Sequence, residues 1–296
     1  MTVVITYFIG SKNNSPVNHE ITNEPNEDVR IIENKDSNIN ETETFSKPLG
    51  NKIGYFFEGN SVVEETNNPE TSKNDLWWLS SGGLFYIKDG FSSTIHGELS
   101  LDDKWRNAYQ KSKPESTDEG KHPQNIFRLV SKKEYHSYEQ LMYFRINNIV
   151  DSNSQERKES NGIFFFNRYQ DDNNLYYAGL RVDGFAVIKK KIGGQYFTMD
   201  YKRVYDSNNA YNKDSNNCLI PKNKWIGLKV VVVDVINKVS IKLFVDNEND
   251  GEWKLVSEAE DYSNTYGAKP FFNSGNVGIR TDFLESDFRD FVINSL

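Results

Sequence analysis

The chain has 296 residues, 36% of them hydrophobic and 14% aromatic, and a formal net charge of −8. That is enough apolar material for one large core or two modest ones. The acidic balance argues against nucleic acid or an anionic membrane as the main partner, because both reward clustered Lys and Arg. The single cysteine, Cys218, leaves no intrachain disulfide framework and no Cys-rich zinc site.

In chain order, "MTVVITYFIG" comes first. Its Val, Ile, Thr, Tyr and Phe predict a β-strand, and its apolar run is too short for a membrane span and lacks the leading basic residues of a signal peptide. From Ser11 to about Lys47 the chain is rich in Asn, Glu, Asp and Ser with almost no aromatic residues. Such a composition cannot offset the entropy of ordering, so residues 1–48 are expected to be a strand followed by a linker or mobile loop, and 49–296 a separate sandwich.

Strand signals then crowd in: "KIGYFFEG", "SSGGLFYIKDG", "NIFRLVS", "YEQLMYFRIN", "GIFFFNRY", "LYYAGLRV", "FAVIKK", "WIGLKVVVVDVI", "VSIKLFVD", "GNVGIRTDF" and "FRDFVINSL". Each is a short β-branched and aromatic run bounded by Gly, Asn, Asp or Pro. The weak helix candidate is "LDDKWRNAYQK", with an acidic start and Trp105 and Tyr109 four residues apart. Hairpin turns without βαβ alternation predict an all-β, two-sheet antiparallel sandwich. "WIGLKVVVVDVI" is expected among its buried strands, since its apolar run is nearly continuous.

The order "LVSKKEYHSYEQLMYFRI", "SNGIFFFNRYQDDNNLYYAGLRVDGFAVIKKK", "KWIGLKVVVVD…VSIKLFVD…EWKLV" and "GNVGIRTDF…FRDFVINS" resembles the concanavalin A-like lectin/glucanase jelly rolls, laminin-G-like modules included, from about Leu76 to the C-terminus. It is a resemblance of pattern that carries no catalytic signature. It implies a jelly roll and a polysaccharide or glycoconjugate partner, an acidic one included. By fold analogy it also implies an extracellular or cell-surface setting. The superfamily holds lectins, hydrolases, lyases and adhesion modules, so activity stays open.

The stretch from Phe164 to Met199 can be folded by hairpin arithmetic. A two-residue type I′ turn at Asp183-Gly184 would pair Val182 with Phe185, Leu180 with Val187, Ala178 with Lys189 and Tyr176 with Lys191. A second turn at Gly193-Gly194 pairs Lys191 with Tyr196 and Lys189 with Thr198. The loop Asp171 to Asn174 pairs Tyr169 with Tyr176 and Asn167 with Ala178. One face then carries Tyr169, Tyr176, Lys191 and Tyr196 beside Asn167, Lys189 and Thr198, while Ile188 faces the core.

Aromatic planes stack on the C–H face of a pyranose, and amide or charged groups bond its hydroxyls or carboxylate. That makes Tyr169, Tyr176, Lys189, Lys191, Tyr196 and Asn167 the expected ligand face. Solvent-facing sheet positions also use tyrosine and lysine with no ligand involved. If the faces are reversed, the site moves to Arg168, Tyr177, Arg181 and Lys190, which suits a carboxylate-neutralising lyase.

Catalytic motifs are weak. The Glu-x-Asp-x-x-Glu strand of the laminarinase-type hydrolases of this fold has its nearest match in Glu285-Ser-Asp287-Phe-Arg-Asp290, which ends in Asp and sits on the last strand. Alginate-lyase-like counterparts (His96, His136, Arg145, Arg168, Tyr177) are scattered. In "DNENDG", Asp246, Glu248 and Asp250 alternate as in a calcium loop, but the twelfth position is Ser257 rather than Glu, so the stretch reads as a hairpin turn. No cofactor is required by these residues. The resemblance implies a structural Ca²⁺ for which the sequence offers no assignable ligands.

Overall fold

The computed structural model describes residues 52–53, 57–206 and 210–296. The expected N-terminal strand, the segment from Ser11 to Lys47 and the middle of "KIGYFFEG" lie outside the described residues. The strands are β1 (Lys52–Ile53), β2 (Asn60–Glu64), β3 (Trp77–Ser81), β4 (Leu84–Lys88), β5 (Phe91–Ser93), β6 (Ile126–Tyr135), β7 (Tyr138–Ile149) and β8 (Gly162–Asp171). They continue with β9 (Asn174–Arg181), β10 (Phe185–Ile192), β11 (Gln195–Arg203), β12 (Ile226–Val235), β13 (Lys238–Asp246), β14 (Lys254–Tyr262), β15 (Gly275–Asp282) and β16 (Leu284–Ser295). The helix α1, Lys104–Ser112, begins where predicted, because the Asp103 carboxylate accepts the Trp105 amide at 2.7 Å and caps it.

These strands form a jelly-roll sandwich of two antiparallel sheets, as the concanavalin A-like pattern implied. The larger sheet runs β14-β13-β12-β7-β16-β5-β4-β2, with β1 also paired to β16; the smaller runs β11-β10-β9-β8-β15-β6-β3. Alternation along the strands sends one set of side chains into the space between the sheets. There Trp77, Phe85, Phe165 and Phe288 join the aliphatic rows of β9, β10, β12 and β13 in one core. Strand β12 lies between β13 and β7 as expected of a buried strand. Only its Ile226, Leu228, Val230 and Val232 face the core; Lys229 and Val231 are half-buried on the other side, where no layer of the described residues covers the sheet.

A second buried cluster lies on the outside of the smaller sheet: Val130, Phe164, Phe166, Tyr169, Leu175, Tyr177 and Val187, with Trp78 and Tyr196 packed against it. Outer sheet faces are ordinarily polar. This one is the starting point for a site. Among the described residues, no helix is long and apolar enough to cross a membrane.

Candidate functional site

The register of β8 to β11 decides which side chains reach this outer face. At Gly193-Gly194 the expected two-residue turn forms, pairing Lys191 with Tyr196 and Lys189 with Thr198. At Asp183-Gly184 it does not. Lys189 pairs with Tyr177 and Lys190 with Tyr176, a slip of one residue. The Gly184 amide donates to the Arg181 carbonyl at 3.0 Å with Gly184 at φ +87°, so Val182, Asp183 and Gly184 form a three-residue loop. Val182 is drawn out of the ladder: its amide donates to Asn161 O at 2.7 Å and its carbonyl accepts from Leu219 N at 2.6 Å. At the third turn Asp171 and Asn174, expected as the ends of a four-residue loop, pair with each other and close a two-residue turn. Beyond it Arg168, at φ +46°, opens a bulge, and Asn167 pairs with Tyr176 instead of Ala178.

These two shifts divide the expected ligand face. Tyr169, Lys189, Lys191 and Tyr196 lie outside, but Tyr176 and Asn167 point into the sandwich, which corrects their expected placement. The Tyr176 hydroxyl donates to Asp261 Oδ2 at 2.5 Å. Asn167 Oδ1 accepts from Gln140 Nε2 at 2.7 Å. The reversed face is divided too. Lys190 and Arg168 are fully buried, Lys190 against Asp261 at 2.8 Å and Arg168 against Asp234 at 2.6 Å. Arg181 is held by Asp183 at 2.8 Å, and Tyr177 alone reaches the outer cluster. Tyr176, Lys190 and Arg168 form a clasp: they bond the backbone of Phe271, of Ala268 and Lys269, and of Phe271 again, and so fasten the segment between β14 and β15 across the gap between the sheets.

Sequence reasoning missed Arg280, Phe164 and Ser160. Strand β15 runs between β8 and β6, so Arg280 pairs with Phe164 on one side and Arg128 on the other. Its guanidinium lies 5.8 Å from the Phe164 ring centre and 5.1 Å from that of Tyr177. Neighbouring Gly179 adds no side chain to this face. The ammonium groups of Lys189 and Lys191 stand 5.6 Å and 4.9 Å from the Tyr196 ring, which lies 5.8 Å from Tyr177. Together Ser160, Phe164, Tyr177, Lys189, Tyr196 and Arg280 line a shallow surface depression. Asp282 beneath it is bonded at 2.8 Å by both Arg128 and Arg280. Burial alone would raise its carboxyl; the two arginines outweigh that and lower it. Burial would likewise raise the Tyr196 phenol, but Arg280, Lys191 and a hydrogen bond with Tyr177 reverse the sign and lower it.

The other expected centres do not assemble with this one. His96 and Arg145 meet on Asp287, at 3.4 Å and 2.6 Å, on the outside of the larger sheet, while His136 pairs with Asp234. Glu285 accepts the Gly97 amide at 2.7 Å. The "DNENDG" stretch is the expected turn between β13 and β14. The Asp246 carboxylate is already engaged within the protein, accepting from Gly251 N at 2.9 Å and Tyr143 Oη at 2.7 Å. Among the described residues no cluster of three or more His, Cys, Asp or Glu side chains is placed to hold a metal ion.

No protein-family model matches the chain, and no curated protein matches it. Solved structures are similar to it. The carbohydrate-binding module CBM66 from Bacillus subtilis shares 14% identity over 75% of this chain and 92% of that one, with a TM-score of 0.40. The winged bean acidic lectin complexed with methyl-α-D-galactose shares 9% identity over 79% and 98%, at 0.42. The GH43 protein BlXynB from Bacillus licheniformis shares 13% over 74% of this chain and 37% of its own, at 0.40. At these values neither ligand nor activity is carried over.

Proposed function

We propose that the outer face of the smaller sheet binds an acidic polysaccharide or glycoconjugate at the depression around Tyr177 and Tyr196. The observation that carries this reading is the meeting of two aromatic rings with Arg280 and Lys189 in one depression, with Lys191 over the Tyr196 ring at its rim. The depression is far smaller than the ~300–1,000 Å³ clefts that enclose drug-sized ligands, so a glycan would lie across it on the sheet surface rather than enter it. Tyr196, half-buried, offers a ring for stacking. Arg280, Lys189 and Lys191 bring positive charge toward a carboxylate or sulfate, and the one carboxylate beneath them, Asp282, is shared by two arginines, Arg128 and Arg280. The test is calorimetric titration with a panel of acidic and neutral glycans. Binding of an acidic member that weakens with added salt is expected; a panel in which no acidic glycan binds contradicts the reading.

One observation favours a lyase as the second reading. A phenol made more acidic beside an arginine is suited to removing the proton α to a neutralised carboxylate. On that reading the same acidic glycan gains ultraviolet absorbance from new double bonds on incubation. Tyr196→Phe then abolishes this signal and keeps the binding. No absorbance change with any bound glycan leaves the binding module alone.

A further inference from the structure

The larger sheet has its own aromatic outer face, on β5, β7, β12 and β16, which the proposed site does not use. Trp225, just before β12, lies with Arg145 4.8 Å and Arg289 4.7 Å from its ring and with Phe91 6.1 Å away. Beside it Trp253 packs 5.8 Å from Tyr143 and carries Lys229 at 4.8 Å. This platform is built into the strand. A Cβ on Gly227 would stand 2.7 Å from the Trp253 indole and 2.9 Å from the Tyr143 ring, so glycine is what lets both rings lie down on the sheet. The Tyr143 hydroxyl is fixed by its bond to Asp246, and Phe91 is 50% exposed.

The charges here differ from those of the first face. Arg145 is bonded to Asp287 at 2.6 Å, Lys229 lies 3.8 Å from Glu139, and Arg289 donates to Asn249 at 2.7 Å with Asp290 3.5 Å from its Nε. Each cation has an acidic neighbour. The surface therefore presents donors and acceptors side by side without excess positive charge.

The geometry points to a second carbohydrate surface on the larger sheet, taking a neutral glycan that lies over Trp225, Phe91 and Trp253 and bonds its hydroxyls to the Arg145–Asp287 pair. Paired donors and acceptors match hydroxyl groups, whereas an anion would meet Asp287 and Asp290. Rings already held in place lose little freedom on binding, so stacking is not spent on ordering them. The two faces lie on opposite sides of the sandwich, and this inference stands whether or not the first one holds.

The test uses the full chain and soluble neutral polysaccharides: xylan, β-glucan, mannan and galactan. At least one binds, and Trp225→Ala and Phe91→Ala each weaken that binding by about tenfold, as loss of an aromatic anchor does, while Tyr196→Ala leaves it unchanged. Phe91 is half-exposed, so its variant keeps the question answerable if Trp225→Ala fails to fold. Binding that survives both variants, binding lost with Tyr196→Ala, or no binding of any neutral glycan overturns the inference. So does a concentration-dependent dimer that Phe91→Ala dissociates, since the face then belongs to a second copy of the chain.

Discussion

Asp282 and the two arginines that hold it are the residue-scale key to the first face, because they set where Arg280 can reach. Its lowered carboxyl pKa gives a signed prediction. A group whose folded pKa lies below its unfolded value of about 3.9 contributes stability above that value and loses it as pH falls through the folded pKa. Wild type should therefore be more stable than Asp282→Asn at neutral pH, by a margin that holds down to about pH 4 and then narrows on further acidification. Thermal melts across that range measure it. A margin that widens in acid would mean that Asp282 is protonated in the folded protein. Alternation alone read Tyr169, Lys189, Lys191 and Tyr196 correctly as outward-facing. It could not find Arg280, which joins them only through the pairing of β15 with β8, more than a hundred residues apart in sequence.

At the scale of the element, the two glycine turns of β9 to β11 look alike in sequence and fold differently. Gly193 is at φ +56° with open space where a Cβ would stand; Gly184 is at φ +87°, and its Cβ would meet the Tyr205 carbonyl oxygen at 2.4 Å. Asparagine tolerates the left-handed region, so Gly193→Asn should change stability by about 0.5 kcal/mol or less. Gly184→Asn should cost clearly more, on the order of 1–3 kcal/mol, since strain and collision act together. Equal costs in denaturant unfolding would contradict the three-residue loop. The loop itself was illegible because the groups that choose it, Asn161 and Leu219, come from other parts of the chain. That one slip, with the bulge at Arg168, put Tyr176 and Asn167 inside.

For the whole molecule, the sandwich was readable because strand alternation, turn residues and the lack of helical periodicity agree with one another. Which face is which was not, since one residue of register reverses it. The clasp illustrates the consequence: Tyr176, Lys190 and Arg168 have the composition of a binding site and instead tie the β14–β15 connection to the core. Lys190 and Asp261 form a fully buried pair. Removing one partner leaves a buried charge, so Lys190→Met should destabilise by about 3–5 kcal/mol, while the double variant Lys190→Met with Asp261→Leu should recover much of that loss. Additive losses in a double-mutant cycle would show that the pair is not coupled.

The central claim is that the Tyr196 side of the smaller sheet is the ligand face and the Tyr176 side is core. It is tested most directly by measuring acidic-glycan affinity and melting temperature together for Tyr196→Ala and Tyr176→Ala. Tyr196→Ala should lose about 1–3 kcal/mol of binding with a small change in melting, as for other aromatic anchors at a ligand surface. Tyr176→Ala should lose about 3–5 kcal/mol of stability through the cavity and the lost hydrogen bonds to Asp261 and Phe271. At temperatures where it stays folded, Tyr176→Ala should bind as wild type does. If Tyr176→Ala abolishes binding in a protein that still melts normally, while Tyr196→Ala binds unchanged, the assignment of the two faces is contradicted.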